Sequence, residues 1–296
     1  MLGALIAKRT RMSTNSEPAV PAPARIAFIG GGNMARSLIG AQLARGVAAA
    51  ALTVAEPRAE ARAELARTFG ITTHADNAVA VAGADCVVLA VKPQVMREVC
   101  ASLAAPLRST QPLVISIAAG VRIAQLERLL GAHHAIARCM PNTPALVGAG
   151  AAGLTANRNV SATQRALAES ILDAAGIVRW IDDEAQMDTV TALSGSGPAY
   201  FFLLVEAMED AAVSLGLSRD TARALAAQTC LGAGHMLADG NEPAAELRRR
   251  VTSPHGTTAA ALAVFEHDGF AAMVGRALAA AQTRGAEMSA ELDRDP

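Results

Sequence analysis

The 296-residue sequence has few aromatic side chains, few cysteines and almost no net charge. Phe, Trp and Tyr make up 3% of the chain, whereas 52% of its residues are hydrophobic, alanine above all. This composition favours helices that pack closely through small side chains, and interfaces between subunits more than wide apolar pockets. The net charge of -1, with no sustained run of one sign, argues against nucleic acid or an anionic membrane as the main partner.

The cysteines are scattered, without a C-x-x-C pair or a nearby histidine that would indicate a metal site. They are Cys86, Cys100, Cys139 and Cys230. We therefore expect reduced and mostly buried thiols in a cytoplasmic protein, and no bound metal.

Long hydrophobic runs are also missing. The apolar run 199–205 is followed by Glu206, Glu209 and Asp210, so it cannot span a bilayer, and we expect a soluble protein. The apolar stretch 2–7 is too short for the core of a signal peptide. We predict a disordered tail over residues 1–24, in which Met12 is an alternative start.

The stretch 25–46 has the order strand, tight glycine turn, helix. An apolar β-rich run ends at Ile29, and Gly30-x-Gly32-x-x-Ala35 leads into a helical pattern. In such a turn the first glycine permits the bend, the second lets a pyrophosphate approach bare backbone, and the small third residue lets helix pack on strand. With an acidic residue, Glu56, at the end of the next strand, the context predicts a dinucleotide site.

Short β-rich runs then alternate with helical ones as far as the run 113–117, which predicts an α/β fold with a doubly wound parallel sheet. Further strands are predicted at 135–138, 151–155 and 177–180. Beyond Asp182 the β signal vanishes, and helices are predicted at 197–215, 219–238, 243–251, 257–267 and 269–288. Several of them are apolar on more than one face. We therefore predict a dinucleotide-binding domain over 25–181 and an all-helical domain over 182–296 that is buried against a second copy.

In an open parallel sheet, ligands bind outside the carboxyl ends of the strands. The turns that follow the predicted strands would line one crevice; they are 30–35, 56–58, 90–93, 117–120 and 140–144. A carboxylate at Glu56 suits the ribose hydroxyls of NAD and repels the 2′-phosphate of NADP, whereas Arg58 offsets that repulsion, so the choice of cofactor stays open. We expect Lys92 to be a solvated charge or a contact to the ribose or phosphate of the cofactor rather than a catalyst. Pro93 is expected to be a rigid residue that lines the nicotinamide site.

Several other polar features carry alternative interpretations. His133 and His134 point to different sides, so we expect a surface loop there rather than a metal site. Arg248 to Arg250 are expected to form a solvated helix face. The stretches 193–200 and 252–258 each place hydroxyl residues and glycines before a helix, which offers free N–H groups to a small carboxylate, with ordinary capping as the alternative.

Six ordered motifs resemble the pyrroline-5-carboxylate reductase family over nearly the whole chain. They are FIGGGNMA at 28–35, AVKPQ at 90–94, SIAAGV at 116–121, MPNTPALVGAG at 140–150, LSGSGPAYFF at 193–202 and VTSPHGTT at 251–258. The resemblance implies NAD(P)H-dependent reduction of the cyclic imine 1-pyrroline-5-carboxylate to L-proline, the last step of proline biosynthesis. It also implies a Rossmann domain followed by a helical dimerisation domain, in dimers that assemble further into rings such as decamers.

The resemblance also implies the roles of particular residues. The cofactor positions are Ile29, Gly30, Gly31, Gly32, Asn33, Met34, Ala35, Glu56, Asn77, Ala90, Val91, Lys92 and Pro93, to which Arg58 is added from the charge argument above. The substrate positions are Ala118, Ala119, Gly120, Thr257 and Thr258. Thr258, the catalytic candidate, would donate a hydrogen bond near the ring nitrogen from the partner subunit.

Two departures from the family pattern stand out. His255 replaces the first glycine of the usual S-P-G-G, which would narrow the pocket or shift the pH profile. The segment 241–247 is one residue longer than the usual spacing, which leaves a substrate contact by Glu242 open.

The chemistry of an imine fits the side chains that are present. A cyclic imine is partly protonated near neutral pH, so holding its carbon against the nicotinamide is the main task and no strong acid is required. A β-hydroxyacid-type dehydrogenase would need a lysine where the sequence reads Ser-Gly-Pro-Ala-Tyr at 196–200. A paralogue that binds the dinucleotide without turnover remains the alternative from another class, and His255 is the residue that favours it.

Overall fold

The computed structural model describes residues 24–240 and 242–294, in which an eight-stranded sheet is followed by a series of helices. The strands are β1 (Ile26–Ile29), β2 (Leu52–Ala55), β3 (Thr72–His74), β4 (Cys86–Leu89), β5 (Leu113–Ser116), β6 (Ile136–Met140), β7 (Gly150–Ala156) and β8 (Gly176–Trp180). The predicted tail over residues 1–24 lies outside the described residues, apart from Ala24.

The helices of the sheet region are α1 (Asn33–Ala44), α2 (Ala59–Phe69), α3 (Asn77–Ala80), α4 (Met96–Thr110), α5 (Ile123–Leu130) and α6 (Ala162–Leu172). Those that follow the sheet are α7 (Met187–Val190), α8 (Gly197–Ser214), α9 (Arg219–Asp239), α10 (Ala244–Arg250), α11 (Thr257–His267) and α12 (Phe270–Arg294). The five long helical segments predicted from the sequence correspond to α8 to α12. Their observed ends differ from the predicted ones mainly in α12, which continues to Arg294 rather than ending at Met288.

The sheet has the order β3-β2-β1-β4-β5-β6-β7-β8 and separates two apolar cores. Alternate residues of β1 point to opposite cores: Phe28 packs with α1, α2 and α6, whereas Ile29 packs with α3, α4 and α5. Strands covered on both faces are buried along their whole length, which explains their continuous apolar sequences. The predicted doubly wound α/β fold with a helical region behind it is confirmed.

Strand β7 runs antiparallel to β6, whereas every other neighbouring pair of strands in the sheet is parallel. The connection 141–149 holds only one short 3₁₀ turn, and it is shorter than the dozen or so residues that a parallel crossover needs. The next connection contains α6 and returns the chain for a parallel pairing of β8 with β7. Carboxyl-end turns that share one edge are therefore those of β1 to β6.

The helices after the sheet expose large apolar side chains. Phe201, Phe202 and Leu203 on α8 are each more than half exposed, as are Val264 on α11 and Met273 on α12. Patches of this extent on one chain mark a surface that a partner covers. None of the described helices combines the length and apolar character that crossing a membrane requires.

His134 contradicts the prediction that both adjacent histidines lie in a surface loop. His133 is exposed, but His134 is fully buried at the start of β6, and neither of its ring nitrogens has a hydrogen-bond partner among the described residues. The backbone carbonyl of His134 accepts from the side-chain amides of Asn157 and Asn159, which fold the chain over it. Burial lowers the pKa of His134, and the nearby His133 and Arg108 lower it further.

The buried imidazole makes stability depend on pH. The unfolded chain binds a proton at His134 near pH 6.5, while the folded chain keeps the ring neutral to lower pH. Its contribution is therefore fully present above about pH 6.5 and decreases as the pH falls, by at most ~1.4 kcal/mol per pH unit. Urea unfolding between pH 7.5 and 5.5 should show this slope in the wild type, a slightly smaller one in His133→Gln, which removes one cause of the lowered pKa, and the smallest in His134→Met. Equal slopes in all three proteins would contradict the prediction.

Candidate active site

The glycine turn joins β1 to α1 as the motif predicts. Gly30 has φ +98°, and its N–H donates to the carbonyl of Ala55 at 2.8 Å. A Cβ atom on Gly30 would lie 2.6 Å from the carbonyl oxygen of Ala90, so neither the backbone conformation nor the space allows a side chain. The turn is thus packed directly against the carboxyl end of β4, which is the point where the strand order reverses.

Gly32 shows the opposite surroundings, because no heavy atom lies within 4 Å of the place where its Cβ would be. It is the N-cap of α1, and the N–H groups of Asn33, Met34 and Ala35 have no acceptor in the described part of the chain. Bare backbone at the start of a 12-residue helix is a fitting cradle for a pyrophosphate.

Glu56 lies beneath the glycine turn and is almost entirely buried. One carboxylate oxygen accepts the N–H of Gly31 at 3.2 Å, and the other accepts the backbone N–H and the Nε of Arg58 at 3.2 and 3.0 Å. Burial by itself raises the pKa of Glu56, but the hydrogen bonds from Arg58 and Gly31 outweigh it and the net pKa is lowered. Glu56 is therefore an ionised carboxylate that holds the glycine turn in place.

The remaining predicted cofactor residues divide between those that join the turn and those that do not. Ala90 and Val91 border Gly30, and Pro93 opens a short 3₁₀ turn over 93–95. Lys92 is exposed, its carbonyl accepts the N–H of Val95 at 3.2 Å, and its side chain has no hydrogen bond or ion pair within the described ranges. Asn77 is directed to α4, where its amide nitrogen donates to Ser102 Oγ at 2.9 Å, and it makes no hydrogen bond to the glycine turn.

The predicted substrate turn 118–120 follows β5, one strand further along the same edge. Ile117 N–H donates to the carbonyl of Leu89 at 3.1 Å, which fixes the start of the turn beside β4. Ala118 is buried, and Gly120 has φ +77°. Close to Gly120 lie Met288, Ser289 and Leu292 of α12, a contact that no local pattern in the sequence indicates.

Thr257 and Thr258 begin α11, which has no hydrogen bond or ion pair to the sheet region within the described ranges. Neither hydroxyl has a hydrogen-bond partner in the described chain. Within the described residues of one copy, no polar contact thus joins these threonines to the turn 118–120. This is the result expected if the threonines at that turn come from a partner subunit.

His255 stands just before α11 with φ +60°, a left-handed conformation that costs a residue with a side chain free energy. Pro254 precedes it, and the N–H of Gly256 closes the turn on the carbonyl of Ser253 at 3.1 Å. A glycine at this position of such a turn is unstrained, which accounts for the glycine of the family pattern.

Replacing His255 by glycine is therefore expected to stabilise the protein. Relief of the backbone strain exceeds the extra entropy of an unfolded glycine, so we expect a gain of ~0.5–1 kcal/mol and a rise in the thermal midpoint. The matched control is His255→Ala, which removes the ring but keeps the Cβ and should not gain. A comparable rise in both variants, measured by calorimetry, would assign the effect to the imidazole instead.

The stretch 193–200 is not the open helix start that the sequence indicated. Thr191–Gly195 forms a π-helical turn that joins α7 to α8, so the chain is helical on both sides of the serines. Ser194 Oγ donates to the carbonyl of Val190, and the N–H of Ser196 donates to the carbonyl of Thr191. These groups already donate hydrogen bonds within the helix and are not available to a carboxylate.

Asn142 was placed in the crevice by the sequence pattern, but the structure gives its side chain another role. Its amide nitrogen donates to the carbonyl of Ser194 at 3.0 Å, and its amide oxygen accepts the N–H of Ala151 at 2.9 Å. Gly195 also packs so closely that a Cβ there would lie 2.5 Å from Met140 Cε. Residues of two motifs thus fasten the helices to the sheet.

Comparison with known proteins gives a consistent result. Residues 184–288 match the family described as pyrroline-5-carboxylate reductase dimerisation, and residues 25–120 match the one described as NADP oxidoreductase, coenzyme F420-dependent. The pyrroline-5-carboxylate reductase of Pseudomonas aeruginosa is 56% identical over 90% of this chain and 98% of its own length. That of Mycobacterium tuberculosis is 42% identical over 90% and 97%, respectively.

Solved structures agree with these relatives. The pyrroline-5-carboxylate reductase from Coxiella burnetii has a TM-score of 0.88 and 43% identity, and the match covers 90% of this chain and 99% of that one. The Plasmodium falciparum pyrroline carboxylate reductase with NADP bound has a TM-score of 0.79 and 32% identity, over 90% and 98%. Given such identity across nine tenths of its length, the chain belongs to the pyrroline-5-carboxylate reductase family.

Proposed function

We propose that this chain reduces 1-pyrroline-5-carboxylate to L-proline with NADH or NADPH, as the last step of proline biosynthesis. The observation that carries the proposal is the placement of an open glycine cradle and of the turn 118–120 on one edge of the sheet, after β1 and β5. The names of the relatives supply the substrate, and the NADP-bound neighbour supports the nicotinamide cofactor.

The cofactor would be held by residues that fit it. The free N–H groups of 33–35 would bind the pyrophosphate, Glu56 and Arg58 would face the adenine ribose, and 90–93 would lie along the nicotinamide half. The nicotinamide, when bound in its reduced form, supplies a hydride. Asn77 would line the cofactor crevice, although its side-chain amide donates to Ser102 Oγ and not to the glycine turn.

On the substrate side, the residues of this chain have to orient the imine and exclude water from it. The turn 118–120 would hold the imine so that its carbon receives the hydride while the ring nitrogen, already protonated, keeps its proton and becomes the amine of proline. Thr258 of a second copy would donate its hydroxyl near that nitrogen, beside Thr257. No buried acid is needed for this step, because the electrophile forms by protonation of the imine in solution.

We further propose a division at residues 25–181 and 182–296, and a dimer in which the sheet region of one copy meets α11 of the other. The exposed apolar faces of α8, α11 and α12 support this arrangement. Assembly of the dimers into rings, including decamers, is a question for analytical ultracentrifugation. A cytoplasmic location is proposed as well, and the buried free thiols of Cys86, Cys100 and Cys139 support it.

Initial rates with 1-pyrroline-5-carboxylate and each cofactor test the reaction. Turnover that consumes one reduced cofactor per proline formed is the expected result. Tight binding of the cofactor without turnover would instead favour the dinucleotide-binding paralogue.

The dimer is tested by mixing two inactive variants. Thr258→Val removes the hydroxyl, and Gly32→Asp places a charge in the pyrophosphate cradle. If each site combines the two regions across subunits, a dimer with one copy of each variant has one intact site and one doubly altered site. Such mixed dimers make up about half of a random mixture, so activity should return to roughly a quarter of the wild type. Mixtures that stay inactive would contradict a site shared between copies.

A further inference from the structure

The last turns of α12 return to the sheet region and cover the turn after β5. A Cβ on Gly120 would lie 3.5 Å from Leu292 Cδ1 and 3.7 Å from both Met288 Cβ and Ser289 N, which is ordinary van der Waals contact. Ser289 is completely buried there. The predicted substrate turn is therefore packed against the C-terminal helix of its own chain.

Gln125 connects the two elements through polar contacts. Its amide oxygen accepts the N–H of Arg122 at 2.7 Å, which closes the end of the turn at the start of α5. Its amide nitrogen donates to the carbonyl of Ser289 at 3.3 Å. The side chain is buried, so the loss of either partner leaves a buried polar group without a hydrogen bond.

A second tether acts on the same segment from the beginning of the helical region. Glu184 Oε1 accepts the N–H of Ile123 at 2.9 Å and pairs with Arg138 at 3.0 Å, and this arginine is almost fully buried. The segment between β5 and α5 is thus held at its end by side chains on both sides, one of which depends on α12.

We propose that Gln125 is a positioning residue for the reduction: it fixes the turn 118–120 by joining its end to α12. The inference rests on the proposed function, because it assigns this turn to the imine. The glycine turn 30–32 does not touch this joint, so the cofactor side of the site is independent of it.

Three variants test the proposal in the full-length protein. Gln125→Met removes both hydrogen bonds, whereas Gln125→Glu keeps the acceptor for Arg122 and loses the donor to Ser289. The matched control is Arg128→Gln, which breaks the exposed ion pair with Asp293, a residue that Gln125 also contacts, but leaves the hydrogen bonds of Gln125 with Arg122 and Ser289 in place.

For both Gln125 variants we expect the KM for the imine to rise about tenfold, with kcat and the dissociation constant of NADPH within about twofold of the wild type. Hydrogen exchange of the amides in 117–122 should accelerate while that in 26–35 stays unchanged, and Arg128→Gln should resemble the wild type in every measurement. The exchange result does not need turnover, so it stands apart from a failure of the proposed reaction.

The proposal is overturned by any of three outcomes. Wild-type kinetics in Gln125→Glu would show that only the contact with Arg122 matters. An equal loss of cofactor and imine binding would indicate general destabilisation. Unchanged exchange in 117–122 would show that α12 does not hold the turn.

Discussion

A Glu56→Ser variant is expected to reduce the imine with NADPH in preference to NADH. In the proposed cofactor site the buried carboxylate would face an approaching 2′-phosphate, and it accepts a hydrogen bond from Nε of Arg58 at 3.0 Å. Serine removes the negative charge, offers a hydroxyl to the phosphate and frees Arg58 to pair with it. The ratio of kcat/KM for NADPH to that for NADH should rise about tenfold or more, since one charge pair near 4 Å is worth ~1–4 kcal/mol.

The ratio is the quantity to measure, because Glu56 has a second role. It accepts the N–H of Gly31 at 3.2 Å, so its removal also loosens the turn and lowers the rate with either cofactor. The matched control is the double variant Glu56→Ser with Arg58→Gln, in which most of the gain should disappear. A fall with both cofactors at an unchanged ratio would restrict Glu56 to bracing the turn.

A Gly30→Ala variant is expected to lose at least about 100-fold in kcat/KM for both cofactors, because a shift of the turn by about 1 Å is enough for such a loss. The methyl group would lie 2.6 Å from the Ala90 carbonyl oxygen and 3.0 Å from Val91 Cγ1, in a backbone with φ +98°. Strain and overpacking each cost about 1–3 kcal/mol, so the thermal midpoint should fall as well.

Two other glycine-to-alanine changes separate the causes. Gly40→Ala, inside α1 and with only Phe69 near its added methyl, should leave activity unchanged and stabilise the helix slightly. Gly32→Ala should keep the thermal midpoint but weaken cofactor binding, because its methyl would occupy open space where the pyrophosphate approaches. A Gly30→Ala protein with normal cofactor affinity would exclude the proposed turn as the cofactor site.

Short-range sequence patterns were sufficient to predict those elements whose structure depends on neighbouring residues. The glycine turn, the strands on either side of it and the long helices α8 to α12 follow from short-range spacing and punctuation, and the structure has them where they were expected. Glu56 was also predicted at the end of the second strand, from the β-rich run that precedes it, and in the structure it directly follows β2. The roles of Asn77, Lys92, Thr257 and Thr258 remain predictions.

What the sequence did not reveal depends on contacts between distant residues. The burial of His134 follows from Asn157 and Asn159, which are more than 20 positions away. The contact of Gly120 with Leu292 spans most of the chain. The antiparallel direction of β7 could have been inferred from the short connection 141–149, but its composition alone gives no direction. The π-helical turn at 191–195 resembles a cap in sequence because glycine and serine serve both structures.

The apolar faces of α8, α11 and α12 make the stability of this protein a function of how much of it is present. In a family whose members carry a dimerisation region here, covering those faces is a binding equilibrium, and binding that occurs only in the folded state raises the apparent stability with concentration. Dilution then lowers the apparent stability, because it shifts the equilibrium from the dimer to separate copies. The apparent stability of the chain therefore depends on its concentration as well as on the contacts within one copy.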